Sequence, residues 1–280
     1  MTAGALFVWL ALLVPISVVL LVLCLAAIRL LGWQGQNYAG ESIPTGYGVA
    51  FPALALAAVG LAMALGSAWT REAIIVCAAV LGCGAFGLLD DLYGRASPKG
   101  LAGHFRLLIE RRQLTAGQLK AVGVAAVGIT VGALIWGRLG AEAVVSGALV
   151  ALCANAANLL DTRPGRALTA ATGAYALIGI AVAASGTAPS RPLAAIAPVA
   201  LGCLVALPVD LGRRAMLGDV GAYALGGGIG VALTLILPVW AQITVAVVLI
   251  CFTVLADRYS LSAFLAGRPQ PDDKRLRTDD

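Results

Sequence analysis

Nine apolar runs, each near the length needed to cross a bilayer, constrain this chain more than any other feature. They cover residues 5–31, 47–66, 72–90, 118–136, 142–160, 167–185, 192–209, 220–238 and 240–256. A spanning helix needs about 20 predominantly apolar residues. The runs therefore predict an all-α membrane bundle of about nine transmembrane helices, occupying residues 1–260, with a polar tail over 261–280. The first run has no basic segment before it and is too long for a signal peptide, so it reads as the first span. Of the 280 residues, 60% are hydrophobic and only 12% charged, about half the charged fraction of a soluble domain.

The basic residues sort by loop. With the N-terminus outside, the cytoplasmic side receives sixteen of the 19 Lys and Arg, and the outer side only Arg71, Arg138 and Arg191. Positive charge in short loops sets orientation, so the expectation is an outside N-terminus, a cytoplasmic C-terminus and residence in the cell (inner or plasma) membrane. The net charge of +5 does not point to nucleic acid, because the cations lie in separate short loops rather than on one soluble face. The six cysteines, Cys24, Cys77, Cys83, Cys153, Cys203 and Cys251, all fall inside apolar runs without metal-ligand spacing and read as helix-packing residues.

The carboxylates follow the same bias. Asp90, Asp91, Asp161, Asp210, Asp219 and Asp257 all fall at cytoplasmic helix ends or loops, and no span carries a charge near its middle. Transporters commonly place ionisable groups at mid-membrane. A polar layer at one surface instead suits an enzyme that joins a water-soluble substrate to a lipid headgroup.

Three motifs carry that layer. Gly87-Leu88-Leu89-Asp90-Asp91 closes the third span. Two adjacent carboxylates repel and call for a compensating cation, of which Mg²⁺ is one; a solvated helix end is the bland alternative. Asn155-Ala156-Ala157-Asn158-Leu159-Leu160-Asp161 closes the fifth. Its three polar residues share a helix face and could meet a ligand, a metal or another helix. Arg163 and Arg166 follow, with guanidinium donors suited to phosphate. Met216-Leu217-Gly218-Asp219-Val220-Gly221 opens the eighth span, where a helix N-terminus favours anions. Gly226 and Gly230 stand at the spacing of helix–helix packing. Lys99 and the lone His104, in the long loop 91–117, are further phosphate-contact candidates, though a surface role for His104 is the plainer reading. Asp210 and Asp257 have no assigned role at this level.

Taken with Ile43-Pro44-Thr45-Gly46, these motifs resemble in order those of the polyprenyl-phosphate N-acetylhexosamine-1-phosphate transferase superfamily, which includes the phospho-N-acetylmuramoyl-pentapeptide transferases. The resemblance covers roughly residues 25–265. It implies Mg²⁺-dependent transfer of a sugar-1-phosphate from a UDP-sugar to a polyprenyl phosphate, with release of UMP, as in cell-wall and other envelope glycan synthesis. On that basis Asp90, Asp91 and Asp219 are the catalytic candidates, and Asp219, Asp91 and Asp161 the metal candidates. Asn155, Asn158, Asp161, Arg163, Arg166, Lys99 and His104 are the substrate-binding candidates. A homodimer is also an expectation of the resemblance.

The chain departs from the family pattern. Pro164 stands where the family has a second aspartate, residues 258–273 contain no histidine, a lysine near the proline-threonine stretch is missing, and the reading gives nine spans where the family pattern has ten. Those departures keep a second expectation open: a non-catalytic relative that binds polyprenyl phosphate or a partner membrane protein.

Overall fold

The structure is a computed structural model that describes residues 3–36, 40–93, 116–184 and 191–258. Nine helices make up almost all of the described chain: α1 (Ala3–Leu30), α2 (Ala50–Ala64), α3 (Thr70–Tyr93), α4 (Ala116–Trp136), α5 (Ala141–Leu160), α6 (Arg166–Ala184), α7 (Arg191–Leu211), α8 (Gly218–Ile236) and α9 (Val239–Arg258). Counting the one-turn 3-10 helix Tyr47–Val49 with α2, each contributes a segment of 18 to 24 residues, long and apolar enough to cross a membrane. The protein is a multi-pass membrane protein, and the nine runs of the sequence correspond one to one with its nine helices. Backbone groups in hydrocarbon must be satisfied within the segment, which is why such runs fold as helices.

Burial is uneven around the bundle. Helix α8 is the hub, with most of its residues buried against α3 on one side and α5 on the other. Its small residues allow this. A Cβ on Gly226 would strike the backbone of Cys153 and Ala154, and one on Gly230 would lie 2.6 Å from the Cα of Val150. Both therefore pack α8 directly on α5, as their spacing predicts. Helix α9 is the opposite case: it rests mainly on α5, and Trp240, Ile243, Val247, Val248 and Leu255 all face outward. An outward Leu or Val at the surface of a soluble protein would be an aggregation hazard; in a bilayer it is solvated by lipid.

The segment between α1 and α2 holds a feature that hydropathy does not show. Strands β1 (Gln34–Gln36) and β2 (Ser42–Pro44) pair antiparallel, with Gly35 opposite Ile43. A one-turn 3-10 helix, Tyr47–Val49, then leads into α2. Thr45 forms an isolated parallel bridge with Met216. Three backbone bonds secure it: Met216 N–H to Pro44 at 2.7 Å, Gly46 N–H to Met216 at 3.0 Å and Gly48 N–H to Leu217 at 3.0 Å. The hairpin is thus tied to the loop that opens α8, far away in sequence.

Candidate functional site

Because consecutive helices alternate in direction, the last turns of α3, α5 and α7 share one end of the bundle with the first turns of α4, α6 and α8. Asp90 and Asp91, Asp161, Asp210, and Asp219 all lie there. Two adjoining cavities of about 340 and 580 Å³ open at this end. Gln36, Thr45, Asp91, Met216 and Asp219 line both, Asp161, Arg163 and Asp210 the first, and Asp90 the second. The hairpin forms one wall.

The centre of the site is a cation that sequence reasoning left unassigned. Lys120, in the first turns of α4, donates to Asp90 Oδ2 at 2.5 Å and to Asp219 Oδ2 at 2.9 Å. Its ammonium also lies 4.8 Å from the centroid of the Tyr223 ring, one turn along α8 from Asp219. The three side chains are 12%, 22% and 29% exposed for Lys120, Asp90 and Asp219, so none is fully dry. Lys120 joins α3, α4 and α8 at the point where two carboxylates would otherwise repel. The available signal was a lone lysine only a few residues inside an apolar run; its partners could not be read from spacing.

Asp91 has a different occupation from its neighbour. Its Oδ1 accepts the Asp219 N–H and its Oδ2 the Val220 N–H, both at 3.0 Å. A side chain of α3 thereby caps the N-terminus of α8, satisfying two donors that have no intrahelical partner. The helix end that the sequence marks as anion-binding is filled by the protein's own carboxylate. Gly218 makes this approach feasible: its φ is +77°, and a Cβ there would stand 2.9 Å from Asp91 Oδ2 and 2.9 Å from the Cα of Gly46. Only glycine meets both demands cheaply.

On the far wall, Asp210 is 2% exposed and its Oδ2 accepts the Gly165 N–H at 2.7 Å. This bond ties the end of α7 to the α5–α6 turn. The fully buried Tyr47 hydroxyl points at Asp210 but misses hydrogen-bond geometry, and has no partner among the described residues. Asp161 is different again. No hydrogen bond or ion pair to its carboxylate is present among the described residues. Burial pushes its pKa well above the usual carboxylate range, and the charges of Asp210, Asp219 and Asp91 push it further the same way.

The remaining sequence candidates divide. Arg163 lines the cavity. Arg166 does not; its Nη1 reaches back to Thr162 Oγ1 at 3.5 Å. Asn155 is turned away to α9, where its Nδ2 donates to Thr253 Oγ1 at 3.2 Å. That is the helix-to-helix alternative the sequence left open: Asn155 and Asp161 are six residues apart and drift around the helix, so one reaches a neighbouring helix and the other the cavity. Asn158 lies half-buried in the last turn of α5, outside the cavity lining. Lys99, His104, the side chain of Asp257 and the tail lie outside the described residues.

Among the described residues no three His, Cys, Asp or Glu side chains form a group able to hold a metal ion alone. Compared with protein-family models and with curated proteins, the chain matches none.

Proposed function

We propose that this protein transfers a sugar-1-phosphate from a UDP-sugar to a polyprenyl phosphate at the cytoplasmic membrane face, with Mg²⁺, releasing UMP. The observation that carries the reading is the convergence of Asp90, Asp91, Asp161 and Asp219 on two adjoining cavities at one end of the bundle, with Asp91 and Asp219 lining both, although 129 residues separate Asp90 from Asp219. The cavity volumes fall in the range of small-molecule sites. Beside them an apolar groove of about 210 Å³ runs between α3 and α4, lined by Phe86, Leu89, Tyr93 and Leu119 and ending on Asp90 and Lys120. Apolar walls leading to a charged end suit a lipid phosphate.

The residues fit a divalent cation of modest demands. Mg²⁺ usually takes one or two carboxylates and completes its shell with water and substrate phosphates. Asp161, with no donor among the described residues, and Asp219, with one oxygen on Lys120, are the residues that would hold it; Asp91 is committed to the α8 backbone. When bound, the ion supplies charge neutralisation and alignment of the diphosphate.

The transfer needs little covalent chemistry from the protein. An oxygen of the lipid phosphate attacks the phosphorus that bears the sugar, the bond from that phosphorus to the bridging oxygen breaks, and UMP leaves with the electron pair. Positioning and charge compensation dominate such reactions. Lys120 holds Asp90 and Asp219 in register near the apolar groove, and Arg163 offers a guanidinium to phosphate oxygens across the cavity.

A second reading has its own support. Lys120 already neutralises Asp90 and Asp219, and Asp91 already serves as a helix cap, so three of the four acids also have structural work. A non-catalytic protein that binds polyprenyl phosphate or a partner membrane protein would keep them for that reason. Purified protein in detergent, given polyprenyl phosphate, Mg²⁺ and a panel of UDP-sugars, separates the two. UMP release that needs both lipid and metal, and that is lost in Asp219→Asn, supports the transferase. No release from folded protein that binds the lipid overturns it in favour of the binder.

A further inference from the structure

The wall that the hairpin gives the larger cavity differs in chemistry from the rest of the site. Gln34 and Gln36 are two residues apart on β1, so they project from one face of the hairpin. Ser42 stands opposite Gln36 in the ladder, and its hydroxyl donates to Gln34 Oε1 at 2.7 Å, which places it on that same face. All three line the cavity of about 580 Å³. Trp33 joins them. Its backbone is held twice, by its N–H on the Ile28 carbonyl at 3.1 Å and by its carbonyl accepting the Thr45 N–H at 3.2 Å. Its six-membered ring rests against Gly46, where a Cβ would lie 3.6 Å from it. The indole is half-buried, and it too lines the cavity.

The cavity therefore has two unlike walls. One carries Asp90, Asp91 and Asp219. The other is an indole, two carboxamides and a hydroxyl, all uncharged. No lysine or arginine lines this cavity among the described residues, so the hairpin wall does not suit a phosphate or a carboxylate. A carboxamide offers both donors and an acceptor, and a hydroxyl does the same. A rigid aromatic surface beside a few placed polar groups fixes the orientation of a neutral ligand. Such a wall fits a hydroxyl-rich ring, with its C–H face on the indole and its substituents on the amides. The layout of the site decides which part of a donor that is. The larger cavity and the apolar groove share Asp90, and the smaller cavity does not reach it. The phosphorus that the lipid phosphate attacks is the one bearing the sugar, so the sugar belongs on the groove side.

Resting on the transferase reading for the identity of the donor, we propose that Trp33, Gln34, Gln36 and Ser42 form the donor-sugar subsite and select among sugars. The sugar ring lies on Trp33, and its hydroxyl or amide substituents bond to Gln34, Gln36 and Ser42. A site built to hydrogen-bond a substituent rejects the analogue that misplaces it, because its own polar groups are then left unpaired. The hairpin is held at Met216 and Leu217, next to Asp219. Sugar recognition is thereby fixed in place relative to the acids that face the diphosphate.

The test is isothermal titration calorimetry of the purified full chain in detergent with Mg²⁺ and no acceptor lipid, so that binding is read without turnover. The probes are UDP, UDP-glucose, UDP-N-acetylglucosamine and UDP-N-acetylgalactosamine. Trp33→Ala and the double variant Gln34→Ala/Gln36→Ala are each expected to weaken the best-binding UDP-sugar about tenfold, the scale of one or two lost neutral hydrogen bonds. UDP affinity is expected to stay unchanged, and the spread among the three sugars to narrow. The two glutamines are exposed on the hairpin, so their variant carries the test if Trp33→Ala unfolds. Equal weakening of UDP and the UDP-sugar overturns the proposal, because the hairpin then holds the nucleotide or only braces the fold. UDP-sugar affinity that survives in the folded variants also overturns it. The UMP-release assay separates this failure from failure of the transferase reading. Release by the wild type with unchanged UDP-sugar affinity in the variants removes the subsite alone. Hairpin-dependent UDP-sugar binding without release keeps the subsite and removes the transferase. A wild type that binds none of the four probes overturns both.

Discussion

At the end of the bundle away from the cavity, one chain of polar side chains closes on itself, although Trp69 Nε1 and Glu72 Oε2 nearby have no partner among the described residues. Trp136 donates to Ser146 Oγ at 3.0 Å, Ser146 donates to Gln242 Oε1 at 2.9 Å, and Gln242 Nε2 ends on the Leu237 carbonyl at 2.9 Å. Arg138, just before α5, pairs with Glu142 in its first turn, and Arg71 donates to the carbonyl of Leu134. At the cavity end, Lys120 pairs with two of five aspartates, Asp91 and Asp210 accept backbone N–H groups, and Asp161 has no partner among the described residues. Both ends tie helices together across the bundle. The difference is that one network satisfies its own members, while the other keeps an excess of negative charge facing a cavity. A closed network is what stability alone selects; an open one makes sense when something else completes it.

The largest effect expected to break or sharpen this contrast is on chemistry. Asp219→Asn is expected to lower UMP release by about 10²–10³-fold, the scale of losing one electrostatic group at a reacting centre. The same assay on Ser146→Ala should show no change, and a comparable loss there would erase the distinction between the two ends.

Next comes the lysine. Lys120→Met leaves Asp90 and Asp219 facing each other without their cation, and is expected to destabilise the protein by about 2 kcal/mol, the range for hydrogen bonds to charged groups. Combining it with Asp90→Asn should recover part of that loss, because the pair then no longer repels. Thermal unfolding in detergent across this double-mutant cycle reads the coupling; strict additivity would mean the Lys120 contacts contribute no stability.

Gly218→Ala is expected to cost about 1–2 kcal/mol for the left-handed backbone alone, and more through the displaced Asp91 cap. Its melting temperature, compared with that of Asp91→Asn, tells whether the two act on the same α8 terminus. At the closed end, Ser146→Ala removes the middle of a buried chain and should cost about 1 kcal/mol.

The smallest effect is a slope. Asp161 has its folded-state pKa raised, so its proton is held more tightly in the folded protein than in the unfolded one. Its unfavourable contribution is absent below the unfolded carboxylate pKa and develops as pH rises toward the raised value. Stability measured without divalent cations should therefore fall with rising pH through that window, and Asp161→Asn should flatten the slope. Added Mg²⁺ should restore stability at the high-pH end in the wild type and not in the variant.

Much of this was legible in one dimension. Hydropathy is additive along the chain and a bilayer imposes one length, so nine runs became nine helices. Because each span reverses direction, parity alone brought the ends bearing Asp90, Asp91, Asp161, Asp210 and Asp219 to the same side. The packing of Gly226 and Gly230 on α5 was likewise a matter of spacing on one helix.

What the sequence could not determine was rotation, register and partner. Which oxygen of Asp91 meets which N–H of α8, whether Asn155 faces the cavity or Thr253, and whether Lys120 reaches Asp90 or lipid all depend on how helices turn against each other. The hairpin at 34–44 owes its place to the bonds between Pro44, Gly46 and the backbone around Met216, which leave no mark on either segment alone. The sequence by itself determined the membrane bundle and the gathering of carboxylates at one end, because both follow from chain-local length and polarity. Only the tertiary structure decided which acids brace the fold and which one faces the cavity without a partner among the described residues, because that is settled by contacts between helices far apart in the chain.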